Sequence, residues 1–575
     1  MQNSTCKNLV SIGVCSEKNT LWDRRTPLSP NGCRDLIESG INVIIQPSKQ
    51  RCFTDNEYLE AGCIVQEDLS KCKVILSISQ VEEKDLFKEM TYLFYSKCID
   101  FQFMKMPLLR KINDLNIRLI DFECIREIIN QDSTTKITGK TIINFDNLIG
   151  LAGTINILKA VGDLLLSKEI SSPFLFTKLS YMYPTVQNAS EALKIMGNYI
   201  IQQELASDIS PIIIAVIGND SLSTSVQNTL KLLPNKRLLL NDLIDGNYEN
   251  RTDLIYYVSL NEVDIFTHIN GKQFSIDDFR EKPEQYESQF VNKFLNKLSI
   301  IINCLYWERR FPKILTKSDL QKNLELNGRL LGVCDLTGTL NGAIEFLEYF
   351  SSNKNPYSIY DINERKRVSS FDENKHSIVY HVTPSNFTSF AIDASLQFSD
   401  SLISYIKELA NSNYPETDEN IKEEIKLATI TSNGALTKKY INLFEAALEY
   451  EKIQKTRHRR TPFNHQNFVS LKLKGHLVQK GILKRLVYNL NKYNVDFDII
   501  YLKIGELNED ESILYIDLYS ETSELIMIFL IELKNYCNLY CCYCLILKHN
   551  ITEEVLSGNK VKELLKTKND NESIY

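Results

Sequence analysis

The sequence predicts an α/β protein with two doubly wound, Rossmann-like domains that face each other across a cleft, followed by a small α+β unit. Three observations support this prediction. Short apolar runs alternate with amphipathic stretches through the first 125 residues, and a second such alternation opens at Pro211. After residue 466 the strand and helix signals follow the order β-α-β-β-α-β, which is the ferredoxin-like arrangement. Continuous apolar strands that alternate with helices indicate parallel sheets covered on both faces.

The first domain is predicted over residues 1–165 and is completed by residues 385–450, which include a long helix at 390–410. Its predicted strands are residues 10–15, 43–46, 74–79, 92–96 and 117–121, and its helices are residues 31–39 and 106–115. Apolar residues at a spacing of three and four mark these helices. Two further helices, at 147–167 and 188–205, carry the chain into the next domain.

The second domain is predicted over residues 190–380 as a dinucleotide-binding fold. Its predicted strands are residues 212–217, 237–240, 254–259, 300–305 and 330–334, with a helix at 223–233. The opening strand, turn and helix form the place where doubly wound folds bind dinucleotides. A basic linker at 451–465 leads to the ferredoxin-like unit at 466–548, and residues 556–575 form a charged tail that we expect to be flexible.

Composition excludes several classes of partner. The chain has 575 residues, with 66 Lys and Arg against 73 Asp and Glu, so its net charge of -7 gives no general reason to bind nucleic acid or anionic lipid. The longest apolar runs, at 525–531 and 539–547, are far shorter than the ~20 residues of a membrane span. The first nine residues resemble neither a secretory signal nor a mitochondrial presequence. We therefore expect a soluble, cytoplasmic protein without nucleic-acid or membrane partners.

Fourteen cysteines raise the question of disulfides and metal sites. Ten of them are scattered singly between Cys6 and Cys334, which is typical of reduced thiols in the core of an intracellular protein. A denser group follows, consisting of Cys537, Cys541, Cys542 and Cys544. With His549 this group could form a zinc site. It contains only one CxxC pair, however, and a typical zinc site combines two such pairs of ligands. We predict no metal site.

Adjacent arginines follow the first predicted strand. Arg24 and Arg25 could bind carboxylates in the two-pronged geometry of a guanidinium, and the alternative is an ordinary surface ion pair.

Several segments occur together in a characteristic order. They are Ile12-Gly13-Val14, Leu21 to Pro30 (LWDRRTPLSP), Val43 to Ser48 (VIIQPS), Arg118 to Glu123 (RLIDFE), Tyr306-Trp307-Glu308 and Ile430 to Gly434 (ITSNG). In this order they resemble the lysine-ketoglutarate reductase half of the bifunctional aminoadipic semialdehyde synthases, over about residues 10 to 440. Residues 469–477 (VSLKLKGHL) resemble the region that joins the two halves of the plant-type enzymes.

The resemblance implies a fold of the alanine dehydrogenase and transhydrogenase type and a reaction. L-Lysine would condense with 2-oxoglutarate, and NADPH would reduce the imine to saccharopine. Arg25, with Arg24 beside it, would hold a substrate carboxylate, and Glu123 would lie by the amine. The cofactor would contact Gly218, Asn219, Asp220, Ser221, Leu222, Ser223 and Asp335. A homo-oligomer, or a separate saccharopine dehydrogenase as partner, fits the same resemblance.

The sequence departs from the family at two acid–base positions. Ser79 stands where the family has a lysine, and Lys97 stands where it has a histidine. A serine cannot titrate near neutral pH, and Lys97 could serve as the catalytic acid–base group only in a buried site. Because such groups contribute about 100- to 10,000-fold to rate, their loss could abolish useful turnover.

The predicted cofactor turn also departs from the family. Only Gly218 remains of its glycine-like positions, and Asp220 adds bulk and negative charge where the backbone should approach a pyrophosphate. Asp146 likewise replaces a glycine before Gly150. Two hypotheses remain open: an active reductase, or a catalytically inactive member of the fold that binds an amino acid or a partner protein.

Overall fold

The computed structural model describes residues 10–17, 22–99, 105–131, 134–371, 376–383, 386–414, 421–443 and 467–475. Farther along it describes residues 486, 489–490, 492, 495–503, 512–520, 529–530 and 543–549. The chain divides into two compact units. One consists of residues 1–97 with 111–439, and the other of residues 98–110 with 440–575.

The larger unit is built on two sheets of eight strands each. Its strands and the hairpin between them are β1 Ser11–Val14, β2 Asn42–Ile45, β3 Ile64–Val65, β4 Val74–Leu76, β5 Thr91–Phe94, β6 Arg118–Asp121, β7 Arg126–Gln131, β8 Thr134–Thr141, β9 Ile213–Ile217, β10 Asn235–Arg237, β11 Ile255–Leu260, β12 Phe266–His268, β13 Tyr286–Ser288, β14 Ile300–Asn303, β15 Gly332–Asp335, β16 Ser358–Asp361, β17 Lys366–Val368, β18 Ser377–Val382, β19 Thr429–Ser432 and β20 Ala435–Leu436. The described helices are α1 Pro30–Glu38, α2 Asp55–Glu60, α3 Met106–Asp114, α4 Asp146–Ser167, α5 Val186–Gln203, α6 Ser221–Leu230, α7 Leu240–Asp245, α8 Glu262–Ile265, α9 Ile276–Glu281, α10 Phe290–Lys293, α11 Lys317–Glu325, α12 Ala391–Asn411 and α13 Glu423–Ala428.

The first sheet has the order β20-β19-β6-β5-β4-β1-β2-β3. Strands β1 to β6 pair in parallel, and β19 and β20 add to the β6 edge as antiparallel strands. The chain therefore returns to the first sheet after it has built the second. Strands β4, β5 and β6 are buried at every position, so none of them alternates between buried and exposed residues.

The second sheet has the order β10-β11-β9-β14-β15-β18-β16-β17. It is parallel from β10 to β18, and the last two strands are antiparallel. The chain starts at β9 inside the sheet, builds to one edge, and then crosses β9 to continue on the other side. Ligands of doubly wound sheets bind at the carboxyl ends of the strands where this direction reverses. The predicted α/β fold class with two doubly wound sheets is confirmed.

Helix α4 packs against α6, β15 and β18 and is buried along most of its length. A Cβ atom on Gly150 would lie 2.3 Å from Ser225 Oγ, so the absence of a side chain there allows α4 and α6 to approach closely. Within the described residues, α4 is the one helix that is long and apolar enough to cross a membrane. Its apolar 18-residue segment is 83% buried inside the protein.

The buried strands β16 and β18 were not among the predicted strands. Two further differences concern elements at the edge of the fold. The strand predicted at 237–240 ends at Arg237, and residues 240–245 form α7. The hairpin of β7 and β8 was not predicted. Both are short or polar elements at the edge of the fold, where apolar periodicity gives little signal.

The smaller unit contains an antiparallel sheet of β21 Asn467–Gly475, β22 Asp496–Lys503, β23 Ser512–Ser520 and β24 Tyr543–His549. Its order, β22-β23-β21-β24, places the first strand at the centre beside the third and fourth, as in a ferredoxin-like sheet. The basic linker, the charged tail and three members of the cysteine group (Cys537, Cys541 and Cys542) lie outside the described residues.

Candidate functional site

The three predicted catalytic positions lie along one edge of the first sheet. Ser79, Lys97 and Glu123 follow the carboxyl ends of β4, β5 and β6, which are neighbouring parallel strands. The topology therefore places Ser79 and Glu123 along the same edge, although they are 44 residues apart in the chain.

Ser79 is bound to a half-buried carboxylate that the sequence analysis missed. Glu17, three residues past β1, accepts hydrogen bonds from the backbone N–H of Ile78 at 2.5 Å and of Ser79 at 3.0 Å. It also accepts from the Ser77 hydroxyl at 3.3 Å and from the Ser79 hydroxyl. Burial raises the pKa of Glu17, and these hydrogen bonds offset part of the shift. Glu17 is thus the carboxyl group at this edge whose environment suits proton transfer. An acidic residue just after an apolar strand was the sequence signal for it.

Lys97 and Glu123 are both exposed. The buried carboxylate between them is Asp121, which accepts hydrogen bonds from the backbone N–H of Ser96 at 2.8 Å and of Glu123 at 2.9 Å. Burial raises the pKa of Asp121, and its hydrogen bonds to Ser96 oppose that shift. The burial that a catalytic role for Lys97 would require is therefore absent, and Asp121 ties the two loops together.

Arg25 and Arg24 point to different surroundings. The Arg25 side chain is only 5% exposed, and it forms a two-pronged ion pair with Asp23, with Nε–Oδ1 at 2.8 Å and Nη2–Oδ2 at 2.6 Å. Its guanidinium lies 4.4 Å from the centre of the Phe387 ring and 5.5 Å from that of Phe145. Arg24 is exposed and donates to the backbone oxygen of Gln50 at 3.2 Å. Of the two arginines, only Arg25 is held rigidly.

Arg25 lines a cavity of 290 Å³ that we name the Arg25 cavity. One wall comes from the loop after β1 and includes Trp22 and Asp23. The opposite wall comes from the second sheet and its loops, through residues 351–353, 356, 381, 383 and 386–389. The cavity therefore lies between the two sheets, and a ligand in it would contact both. Its aromatic, hydroxyl and amide lining with one ion pair suits a small polar molecule.

The predicted cofactor turn has the right backbone and the wrong charge for a pyrophosphate. Gly218 has φ +130°, and a Cβ atom there would lie 3.2 Å from Cys304 Cβ, so glycine is required. Asp220 caps the N-terminus of α6, because its Oδ1 accepts a hydrogen bond from the Ser223 backbone N–H at 2.9 Å. In return, the Ser223 hydroxyl oxygen accepts a hydrogen bond from the Asp220 backbone N–H at 3.0 Å. The Asp220 carboxylate thus occupies the N-terminus of α6, which is the position where a phosphate would bind.

A second carboxylate lies beside this turn. Asp146, at the start of α4, accepts a hydrogen bond from the Ser221 hydroxyl. Asn219 is exposed and Leu222 is buried in the contact of α6 with the sheet. Ser221 also lines a separate cavity of 540 Å³ along α4, α5 and α6. The turn and Arg25 therefore line different cavities.

Asp335, the remaining predicted cofactor residue, is fully buried at the end of β15. It accepts hydrogen bonds from Asn303 Nδ2 at 2.9 Å and from the Thr337 backbone N–H at 2.9 Å and hydroxyl at 2.6 Å. Burial raises the pKa of Asp335 despite these bonds. Its carboxylate is occupied in holding the loops after β14 and β15.

Within the part of the chain that the structure describes, no group of three or more His, Cys, Asp or Glu side chains could hold a metal ion. The described cysteines up to Cys334 are free thiols, and all but Cys15 and Cys52 are buried.

Comparisons with known proteins match two family descriptions to parts of this chain. Residues 13–137 match the family described as alanine dehydrogenase/PNT, N-terminal domain. Residues 469–542 match the LOR/SDH bifunctional enzyme conserved region. L-Alanine dehydrogenase, a solved structure, aligns with 76% of this chain and all of its own at 14% identity and a TM-score of 0.47. A transhydrogenase from Sinorhizobium meliloti aligns at 13% identity, with 74% of this chain and all of its own covered and a TM-score of 0.43. The observed fold is α/β with two doubly wound sheets, and residues 13–137 carry the N-terminal family match.

The more specific relationship comes from whole sequences. The alpha-aminoadipic semialdehyde synthase of Arabidopsis thaliana is 27% identical over 532 residues, which are 87% of this chain and 48% of that protein. The mitochondrial alpha-aminoadipic semialdehyde synthase of Mus musculus is 28% identical over 450 residues, 75% of this chain and 47% of that protein. The chain is a divergent homologue of the alpha-aminoadipic semialdehyde synthases and fits their lysine-ketoglutarate reductase half. It spans about half the length of these relatives.

Proposed function

We propose that the chain is an NADPH-dependent oxidoreductase of lysine degradation that joins L-lysine and 2-oxoglutarate into saccharopine. The observation that carries the proposal is the Arg25 cavity: a buried guanidinium lies between two doubly wound sheets in a homologue of the alpha-aminoadipic semialdehyde synthases. Arg25 is placed to hold a substrate carboxylate, because its guanidinium is fixed by Asp23 and two aromatic rings.

The reaction requires proton transfer when the lysine amine attacks the ketone and water leaves. Since Ser79 cannot supply it and Lys97 is exposed, we assign this role to Glu17. Its half-buried carboxyl accepts a hydrogen bond from the Ser79 hydroxyl, and desolvation raises its pKa above the usual value. When bound, the nicotinamide supplies the hydride. The backbone of the Gly218 turn suits a dinucleotide, whereas the Asp220 carboxylate at the same turn opposes a phosphate.

A second candidate function is favoured by one observation. The Asp220 carboxylate occupies the N-terminus of α6, with Asp146 beside it, so a pyrophosphate would meet two negative charges. This arrangement favours an inactive relative that binds an amino acid or a partner protein through the same fold.

Two measurements on the full chain separate these functions. We expect NADPH to bind, as followed by its fluorescence, and nicotinamide absorbance to fall when L-lysine and 2-oxoglutarate are both present. The Arg25→Gln variant should lose this turnover, and the exposed Arg24→Gln variant is the matched control. Failure of the wild-type chain to bind NADPH or to consume it would overturn the first function. Binding of L-lysine without turnover would support the second.

Other features stay predictions of the sequence. These are a cytoplasmic location, a homo-oligomer, and a separate saccharopine dehydrogenase that would take up the product. Cell fractionation and light scattering of the purified chain would check the first two.

A further inference from the structure

A cavity of 260 Å³ lies at the amino-terminal edge of the second sheet, at the opposite end of the strands from the Gly218 turn. Its lining includes residues 208–209 before β9, residues 327–331 before β15 and residues 376–378 at the start of β18. Lys168, at the end of α4, also lines this cavity, which we name the Lys168 cavity. Among the described residues, it has no lining residue in common with the Arg25 cavity, so the two are separate sites.

Positive charge predominates in the Lys168 cavity. Lys168 and Arg329 are half-buried in its lining, and His376 is an exposed residue of the same lining. Asp208, which is exposed, is the one acidic residue among the described residues that line the cavity. Two cations against one solvated carboxylate favour an anionic ligand.

The guanidinium of Arg329 is held in place by the backbone. Its Nη2 donates to the backbone oxygen of Ile209 at 2.8 Å and to that of Pro211 at 3.0 Å. Both contacts use the same nitrogen, so Nη1 is left to donate to a ligand. A guanidinium that is already fixed loses little side-chain entropy when an anion binds to it.

Lys168 has a structural role that is compatible with anion binding. It is the C-cap residue of α4, where a cation interacts favourably with the helix dipole, and its Nζ lies 3.4 Å from the Ser377 backbone oxygen. An ammonium group can bind several acceptors at once, because it carries three hydrogens. Burial lowers the pKa of Lys168 and of Arg329, because each cation has lost part of its hydration. A bound anion would offset that loss.

We propose that the Lys168 cavity is a phosphate site, in which a dianionic phosphate group binds between Lys168 and Arg329. The group belongs either to a small phosphate monoester or to inorganic phosphate. Phosphate concentrates about two charges and three acceptor oxygens on one centre, which matches two cations that line one small cavity. The volume lies below the ~300–1,000 Å³ of pockets for drug-sized ligands, so a small ligand fits. The site is independent of the proposed reaction, because it lies at the opposite end of the strands from the Gly218 turn.

Calorimetry on the full chain tests this site with two probes, inorganic phosphate and glycerol 3-phosphate, at pH 7.5 and constant ionic strength. We expect saturable binding that Lys168→Gln weakens at least ~10-fold, the effect of one hydrogen bond to a charged group. Lys168→Arg keeps the cation and should retain most of the affinity. The matched control is Lys236→Gln, which removes a lysine exposed on the edge strand β10 and should bind both probes as the wild type does.

A second variant keeps the test decisive if Lys168→Gln does not fold. Asn327 is exposed in the lining with φ +55°, a conformation that aspartate also adopts, so Asn327→Asp adds a carboxylate without straining the loop. It should lower the affinity for both probes about 5-fold, through repulsion between like charges.

Phosphate affinity that is unchanged in Lys168→Gln or in Asn327→Asp would overturn the inference, as would the absence of saturable binding to the wild type. Loss of phosphate binding in Arg25→Gln would place the anion in the Arg25 cavity and overturn it too. Succinate carries its two charges on separate carboxylates, and binding of succinate as tight as that of phosphate would overturn the phosphate assignment. Tighter binding of glycerol 3-phosphate than of inorganic phosphate would support a monoester as the ligand, and the reverse would support inorganic phosphate.

Discussion

At the scale of single residues, the Asp220 carboxylate sets the affinity of the Gly218 turn for phosphate. Asn is as good a helix cap as Asp, because its side-chain oxygen also accepts from the backbone N–H. Asp220→Asn should therefore leave the melting temperature nearly unchanged while removing one negative charge from the N-terminus of α6. We expect NADPH affinity to rise about 2- to 5-fold, since a charge near a helix terminus contributes ~0.3–1 kcal/mol.

The control for this prediction is Asp208→Asn. Asp208 is exposed and lies at the opposite end of the second sheet, beside Arg329. Fluorescence titration should show the same NADPH affinity for this variant as for the wild-type chain. An Asp220→Asn affinity equal to that of the wild type would show that the capping carboxylate does not oppose the cofactor.

The buried His381 ring predicts a loss of stability in acid. Its pKa is lowered in the folded state, so below pH ~6.5 the unfolded chain binds a proton that the folded chain does not. Stability is therefore complete above the unfolded pKa and falls as the pH decreases below it, by at most about 1.4 kcal/mol per pH unit for this group. Urea unfolding at pH 7.5 and 5.5 would measure this change.

His381→Gln isolates the contribution of the ring from that of the carboxyl groups. Glu17, Asp121 and Asp335 have raised pKa values, so protonation favours their folded state and they act in the opposite direction. We expect the wild type to lose more stability than His381→Gln between the two pH values. Equal losses would contradict a neutral His381.

Sequence alone predicted Arg25 and the departure at Asp220, because each lies in a short motif next to a predicted strand. It did not find Glu17, or the buried pair of His381 and Asn386, whose Nε2 and Oδ1 lie 2.9 Å apart. Glu17 matters because β1 and β4 are neighbours in the sheet, which sets its carboxylate against Ser79. The His381 ring is also held by the Pro356 backbone oxygen, 25 residues away. Such contacts are consequences of the fold and leave no local pattern.

At the scale of elements, the close contact of α4 with α6 predicts that adding a methyl group at Gly150 destabilises the protein. A Cβ atom at Gly150 would lie 2.3 Å from Ser225 Oγ and 3.0 Å from the Val226 backbone nitrogen. Alanine usually stabilises a helix by about 1 kcal/mol relative to glycine, but here the clash should win. We expect Gly150→Ala to lower the free energy of unfolding by about 1–3 kcal/mol, as for other overpacked sites.

The double variant Gly150→Ala with Ser225→Gly tests the cause. Removing the Ser225 side chain takes away the nearest clashing atoms and also the hydrogen bond from Ser225 Oγ to the Asn147 oxygen. Chemical denaturation of both single variants and the double variant gives the coupling energy. A stabilising coupling is expected, whereas additive effects would mean that the helices do not approach as closely as described.

Many elements with continuous apolar sequence were predicted, whereas the buried strands β16 and β18 were not. The apolar strands β4, β5, β9 and β14 are buried at every position, so their sequence signal is strong. The order of the second sheet could not be predicted, because β10 is short and largely exposed and lies at the edge beyond β11. Its residues give no periodicity from which a neighbour could be inferred.

At the scale of the whole molecule, the Arg25 cavity couples the two sheets of the larger unit. Its walls are the loop after β1 on one side and residues 351–353, 356, 381, 383 and 386–389 on the other. A ligand that contacts both walls stabilises the conformations in which the walls are close together over those in which they are separated. The stabilisation is RT ln(1 + [L]/Kd), or about 2.7 kcal/mol at a ligand concentration of 100 times Kd. Segments that are far apart in sequence should therefore gain protection at the same ligand concentration.

Hydrogen exchange followed by mass spectrometry measures this coupling on the full chain. With saturating L-lysine, we expect exchange to slow in parallel for peptides that cover residues 22–29 and 351–356, by up to ~100-fold where exchange proceeds through separation of the walls. Arg25→Gln should remove the protection from both peptides, although residues 351–356 are not mutated. Protection of the first peptide alone would place the ligand on one sheet. The proposed reaction requires that a substrate held by Arg25 reaches a cofactor held by the second sheet. This is possible only if the cavity is lined by both sheets.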